Sequence, residues 1–269
     1  MALDLISLLC LDPRHSKSPF GVQYRQILIS KTYLNSGDFA FNSILQHFGR
    51  REPDSSILMI NLSHNWSNYS IASSKCGFNL KKKDNGGNIS IIDLQTEYLS
   101  AALKGAEIDL CKLVYDRFCA FMKETKRGKP VIVMIDDLSI FSSIGYDNTV
   151  IHQLIRQISN RLREDSSELT NEQLNHMIIQ SSDDLRGLIQ SLRNSSDIYM
   201  VIRPLETGHS TVVDGTLRIT DIRLPNDSGN KQIHSTLSFA QPTNIGCRRS
   251  FFYKLGDRRV RLTTSAPIL

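Results

Sequence analysis

Apolar runs alternate with stretches of helical periodicity along most of this chain. Ile27-Leu-Ile29 precedes Phe39, Phe41, Ile44, Leu45 and Phe48 at helical spacing, and Ile57-Leu-Met-Ile-Asn-Leu62 follows. That order predicts strand, helix, strand, with strands apolar enough to be covered on both faces. Asn65 or Ser67 is placed to cap a helix carrying Trp66, Tyr69, Ile71 and Cys76, which Gly77 ends. A basic loop from Lys81 to Gly87 leads into a strand over Ile89–Leu94. From about Glu107 to Lys123, Ile108, Cys111, Tyr115, Phe118, Cys119 and Met122 line one face of a helix. Val131–Ile135 reads as a strand, Val150 to Leu162 as a helix, His176–Gln180 as a strand, Asp183–Leu192 as a helix and Ile198–Ile202 as a strand.

After Pro204 the pattern changes to short strands and turns punctuated by Gly208, Gly215, Pro225, Gly229 and Pro242. Thr216–Leu224 alternates only partly and predicts a bulge near Asp221. Phe251–Leu255 and Val260–Leu262 flank Gly256-Asp257, which suits a tight turn. The expected fold is α/β, with a mostly parallel central sheet, helices on both faces and a β-hairpin-rich C-terminal end. No composition break divides the chain. Residues 1–269 are read as a single domain, with 1–20 as an N-terminal extension and 205–269 as the antiparallel strand-rich end.

The candidate chemistry lies at Val131-Ile-Val-Met-Ile-Asp-Asp137, a buried strand ending in two carboxylates. A RecA-like NTPase keeps its magnesium-coordinating aspartate at such a place. Its companion, Gly-x-x-x-x-Gly-Lys-Ser/Thr, is missing. The nearest equivalent is Lys31–Asp38: aligning Gly37 with the second glycine puts Thr32 at the first, Asp38 at the lysine position and Phe39 at the hydroxyl position. An aspartate there repels phosphate. Asp136 and Asp137 are therefore read as vestigial, with turn or capping duties, because magnesium is usually shared between carboxylates and substrate phosphates; the alternative is a remnant or trans-acting role at a subunit interface. The scaffold resembles a RecA-like NTPase and the site does not, which favours assembly or binding over catalysis. Two rivals stay open: a divergent NTPase with a phosphate loop on Ser36-Gly37, and a RecA-related DNA-recombination paralogue.

Composition narrows the partners. At 269 residues the chain is long enough to bury roughly 75% of the surface its unfolded form exposes. Five cysteines, odd in number and without Cys-x-x-Cys spacing, suit a reducing compartment. The apolar Leu5–Leu11 has Asp4 before it and no small-residue cleavage site after it, unlike a signal peptide. No apolar run approaches ~20 residues, so a soluble protein without membrane contact is expected; with the cysteines this suits the cytoplasm, and the nucleus is a second expected location. The histidines show no metal-type pairing and no serine sits in a nucleophile elbow, so no catalytic group, metal or cofactor is expected. The net charge is +5. Its positive residues crowd the end of the chain, at Arg248, Arg249, Lys254, Arg258, Arg259 and Arg261. They read either as a polyanion site or as solvated outward positions of edge strands.

Three stretches together resemble the sixth subunit of the Elongator complex: Ser63-His-Asn-Trp-Ser-Asn-Tyr-Ser-Ile71 through Gly77, Pro130 through Ser139 to Gly145, and Tyr253 to Leu269. The resemblance spans essentially the whole chain and rests on the combination and order of motifs. It implies a RecA-like, Walker-deficient subunit of a hetero-hexameric accessory ring formed with Elongator subunits 4 and 5. That ring joins the catalytic Elongator subunits, binds tRNA and supports wobble-uridine modification and so translation. Under this reading Lys81, Lys82 and Lys83 beside Gly86-Gly87 are candidate tRNA contacts. So is Arg186, in a segment (Ser181–Gly187) that corresponds by position to an axis-facing loop of RecA-like rings, as does Ser139–Asp147. Trp66 and Tyr69, just past a strand end, are candidate interface residues, with Trp66 also readable as a helix-start anchor in the core.

Overall fold

The computed structural model describes residues 5, 9, 24–32, 37–51, 55–75, 77–80, 89–105, 107–125, 128–166, 169, 174–208, 210–221, 247–256 and 260–264. Its centre is a nine-stranded sheet. The strands are β1 (Tyr24–Lys31), β2 (Ser56–Asn61), β3 (Ile89–Asp93), β4 (Val131–Asp136), β5 (Asn175–Ser182), β6 (Ile198–Arg203), β7 (Gly215–Asp221), β8 (Cys247–Leu255) and β9 (Val260–Thr263). They lie in the order β3-β2-β4-β5-β1-β6-β7-β8-β9. The first six are parallel. The remaining three join antiparallel beyond β6.

The helices are α1 (Asp38–Arg51), α2 (Trp66–Lys75), α3 (Leu94–Leu103), α4 (Leu110–Glu124), α5 (Ser139–Ser143), α6 (Asn148–Asp165) and α7 (Arg186–Ser195). Side chains of alternate strand residues feed two cores. On one face Ile27, Ile29, Ile57, Met59, Ile132, Met134 and Ile178 pack with Phe41, Ile44, Leu45 and Phe48 of α1 and Tyr69 of α2. On the other, Leu28, Leu58, Ile60, Val133, Ile135 and Ile179 meet Val114 and Phe118 of α4, Ile151, Leu154 and Ile158 of α6, and Leu188 and Leu192 of α7. Strands buried on both sides explain the unbroken apolar runs. Leu5 and Leu9 also lie in the first core, so part of the expected extension is packed against it.

Local signals account for several boundaries. The Asn65 side chain accepts from the Asn68 amide and caps α2, and Gly77, with φ of 76°, ends it. Asp109 caps α4 and Asp147 caps α6.

Three expectations need correction. Leu94 belongs to a helix, not to the strand before it: Asp93 accepts from the amide and hydroxyl of Thr96 and so starts α3, which the sequence pattern leaves unassigned. The helix after β5 begins at Arg186, because Asp183 and Asp184 form a turn. The predicted bulge near Asp221 is absent over Gly215–Asp221, where pairing with both neighbours is continuous. Residues 222–224, the rest of that expected strand, lie outside the described residues.

Candidate functional site: a self-neutralised crevice

In an open α/β sheet the ligand crevice lies beyond the carboxyl ends of the parallel strands. Here those ends carry a row of polar side chains on the α1 face. Asn61 of β2 stands beside Asp136 of β4. Gln180 of β5 follows on, since Ile135 pairs with Ile179 one residue earlier. Lys31 ends β1 opposite Ser182. The chain makes each of these positions point the same way because each lies two residues beyond an apolar residue of that core.

Asp136 is 0% exposed. Its Oδ2 accepts from the Ser63 hydroxyl at 2.9 Å and lies 3.0 Å from Nδ1 of His64. Its Oδ1 accepts from the Gln180 amide at 3.0 Å. The same amide donates at 3.2 Å to Asp38, the first residue of α1. His64 Nε2 lies 3.6 Å from the other oxygen of Asp38. One imidazole and one amide thus tie Asp38 to Asp136. Lys31 completes the cluster, with its ammonium 3.2 Å from Asp137 and 3.5 Å from Asp38. Asp137 also accepts from the amide and hydroxyl of Ser139, an Asx-type turn ahead of α5, where Leu138 is the N-cap residue and makes no side-chain cap.

The electrostatics follow from these contacts. The hydrogen bond to Asp136 raises the pKa of His64; burial opposes this, and the charges of Asp136 and Asp38 reinforce it against Lys31. Burial pulls Lys31 down, yet the summed attraction of Asp137, Asp38 and Asp136 raises it. Burial, aided by Asp136, drives the Tyr69 hydroxyl far up and keeps it neutral. A histidine with a raised pKa in the folded state stabilises the fold while protonated. Its contribution is fully present below the unfolded value of about 6.5 and is lost as pH rises through the higher folded value. The difference in urea midpoint between the wild type and His64→Gln is expected to shrink from pH 5.5 to pH 8.5; a constant difference would remove the imidazolium from this account.

Two expectations from the alignment with a phosphate loop can be read directly. At the lysine position Asp38 points its carboxylate at Gln180, His64 and Lys31. At the hydroxyl position Phe39 stacks on Tyr253, with centroids 4.8 Å apart. Residues 33–36 lie outside the described residues. Asp38, His64 and Asp136 offer metal-ligating atoms within 4.8 Å of one another. The imidazole already bridges both carboxylates and the Lys31 ammonium stands alongside. A divalent ion would have to displace contacts that already supply positive charge.

The other singled-out residues scatter. Lys81, Lys82 and Lys83 lie outside the described residues. Arg186 is exposed at the start of α7. Trp66 is half-buried against the first core, in keeping with its reading as a helix-start anchor. Tyr69, expected at an interface, is 3% exposed and lies between Phe41 and His64, so it belongs to the interior. Sequence reasoning missed Gln180, read only as the end of a strand, and did not bring His64 to Asp136. The signal for both is the strand register, which places them around Asp136.

The doubly wound parallel sheet with its antiparallel extension is a RecA-like α/β fold. Solved structures agree. The chain matches a KaiC-like protein of the hyperthermophilic archaeon Pyrococcus horikoshii with a TM-score of 0.54 at 9% identity, over 89% of each chain. It matches an uncharacterized protein of the same organism, solved with an unknown peptide, with a TM-score of 0.54 at 10% identity, over 91% of this chain and 93% of that one. No family profile matches the chain. No curated protein matches it either. Among the described residues no helix is long and apolar enough to cross a membrane.

Proposed function

We propose that this chain is a non-catalytic, RecA-like subunit of the Elongator accessory ring. In this reading it forms a hetero-hexamer with Elongator subunits 4 and 5, binds tRNA as part of that ring and supports wobble-uridine modification by the catalytic subunits, in the cytoplasm and nucleus. The observation that carries the non-catalytic part is Asp38. A carboxylate occupies the start of the helix where a phosphate-binding lysine would stand, and it is held there by Lys31, Gln180 and His64. A triphosphate entering the crevice would meet this carboxylate with its counter-charges already engaged.

Docking has its own support on the opposite side of the sheet. Tyr98, Leu99 and Leu103 of α3 are exposed, Leu103 by 89%. Beside them an apolar hollow of about 250 Å³ opens between α3 and α5, lined by Leu62, Leu94, Leu99, Leu110 and Ile140. A contiguous apolar ledge next to a hollow suits the centre of a subunit interface, which stable assemblies make apolar and rim with polar groups.

The test is co-expression with candidate subunits 4 and 5, followed by native mass measurement and an ATPase assay of the chain alone. A discrete six-membered species and no magnesium-dependent turnover are expected. A chain that co-purifies with neither candidate, or that hydrolyses ATP by itself, would overturn the proposal.

A further inference from the structure

The basic residues near the end of the chain do not form one patch. Antiparallel pairing sets Arg248 against Thr220, Ser250 against Arg218 and Phe252 against Thr216. On the next pair, Phe252 stands opposite Thr263 and Lys254 opposite Arg261. On the inner side, Val201 faces Arg218 and Arg203 faces Thr216. Residues directly opposite in an antiparallel pair share a face, as do residues two apart along a strand. Arg203, Arg218, Arg248, Lys254 and Arg261 therefore lie together on one face of β6–β9. Arg249 lies on the other, where Leu217, Ile219, Phe251, Tyr253 and Leu262 enter the first core.

This basic face is open. Arg203, Arg248, Ser250, Arg261 and Thr263 are exposed, and Arg218, Phe252 and Lys254 are half-buried. The second core stops at Tyr199, on which Arg193 of α7 stacks at 5.3 Å. Among the described residues no position on the face is acidic. Asp183 lies 3.8 Å from Arg203 and Asp214 lies 2.8 Å from Lys254 at its margins, and the charge of Glu206 acts on Arg218. Arg218 sits at the centre with its Nε buried and without a hydrogen-bond partner. Burial, and then the like charges of Arg248 and Arg203, pull its pKa down. Diagonal neighbours in such a sheet are about 7–8 Å apart, so these cations repel one another without a counter-ion.

We propose that this face binds an unpaired segment of RNA, with phosphates on Arg203, Arg218, Arg248, Lys254 and Arg261 and a base stacked on Phe252. The proposal rests on the RNA-binding part of the function proposed above and gives it a place. Charge alone would serve any polyanion, duplex or single strand. Phe252 decides between them. Its ring stands in mid-face between two small neighbours, Thr216 and Thr263. A flat sheet offering an aromatic ring among cations suits a base whose own face is free, as in a loop or an end.

The experiment is fluorescence anisotropy of the full chain with a labelled, short uridine-rich RNA. The same sequence as a duplex and as single-stranded DNA serves for comparison. The double variant Arg248→Glu/Arg261→Glu is expected to weaken RNA binding at least tenfold and to flatten its salt dependence. Phe252→Ala is expected to weaken it roughly 5- to 100-fold with the salt slope unchanged. Lys112→Glu/Lys123→Glu, on the exposed side of α4, is expected to bind like the wild type. Circular dichroism confirms that each variant is folded. Wild-type-like binding by the folded Arg248→Glu/Arg261→Glu protein, or tighter binding of the duplex or the DNA, would overturn the proposal. Ring assembly is read separately by native mass: a ring that forms with this double variant and still holds tRNA as the wild type does would refute the face and leave the ring standing.

Discussion

Replacing Asp136 with alanine is expected to lower the stability of the isolated chain by about 3 kcal/mol or more, the order found when one partner is removed from a buried charged pair. The carboxylate is wholly buried and takes hydrogen bonds from Ser63 and Gln180 while facing His64. Without it, the Gln180 amide keeps only Asp38, the Ser63 hydroxyl keeps only the His64 ring nitrogen, and His64 keeps only Asp38 of its two carboxylates. Asp136→Asn preserves the volume and one acceptor oxygen, so its loss is expected to be smaller. Urea unfolding of the three proteins measures this. If Asp136→Ala moved the unfolding free energy by less than about 1 kcal/mol, the strand-end network would not be a structural element, and a dedicated ligand role for the aspartate would gain ground.

The second large effect concerns α3. Leu99→Glu/Leu103→Glu puts two charges on a ledge where the native side chains are 54% and 89% exposed. Exposed substitutions typically change stability by less than about 0.5 kcal/mol, so the isolated chain should fold as before. Buried at the centre of an interface, the same charges would be desolvated without partners, and co-purification with Elongator subunits 4 and 5 is expected to be lost. Intact hexamer with this variant would show that the ledge faces solvent in the assembly.

Much of the fold was legible because its central strands are covered on both sides. A run such as Val131–Ile135 has one physical explanation, and the helices of the second core carry clean apolar stripes. The helix α3 escaped for the opposite reason. Leu99 and Leu103 point outward, so its apolar residues do not mark a buried face, and its start signal, Asp93 capping Thr96, was absorbed into the preceding strand. The site divides the same way. Asp38 could be found by spacing from β1, since the loop and helix that follow a strand are close in sequence. Gln180 and His64 could not, because they meet Asp136 from 44 and 72 residues away. The basic face was half legible: the cluster near the end was visible, but only strand pairing separates Arg249 from Arg248 and brings in Arg203 and Arg218 from elsewhere.

The Lys31–Asp38 pair has a consequence for the history open to this chain. A lone Asp38→Lys change, the first step toward a phosphate-binding lysine, would set two ammonium groups side by side and leave Gln180 and His64 with Asp136 alone of the two carboxylates they share. The first substitution toward a nucleotide site is therefore unfavourable by itself, and a matching change at Lys31 would have to accompany it.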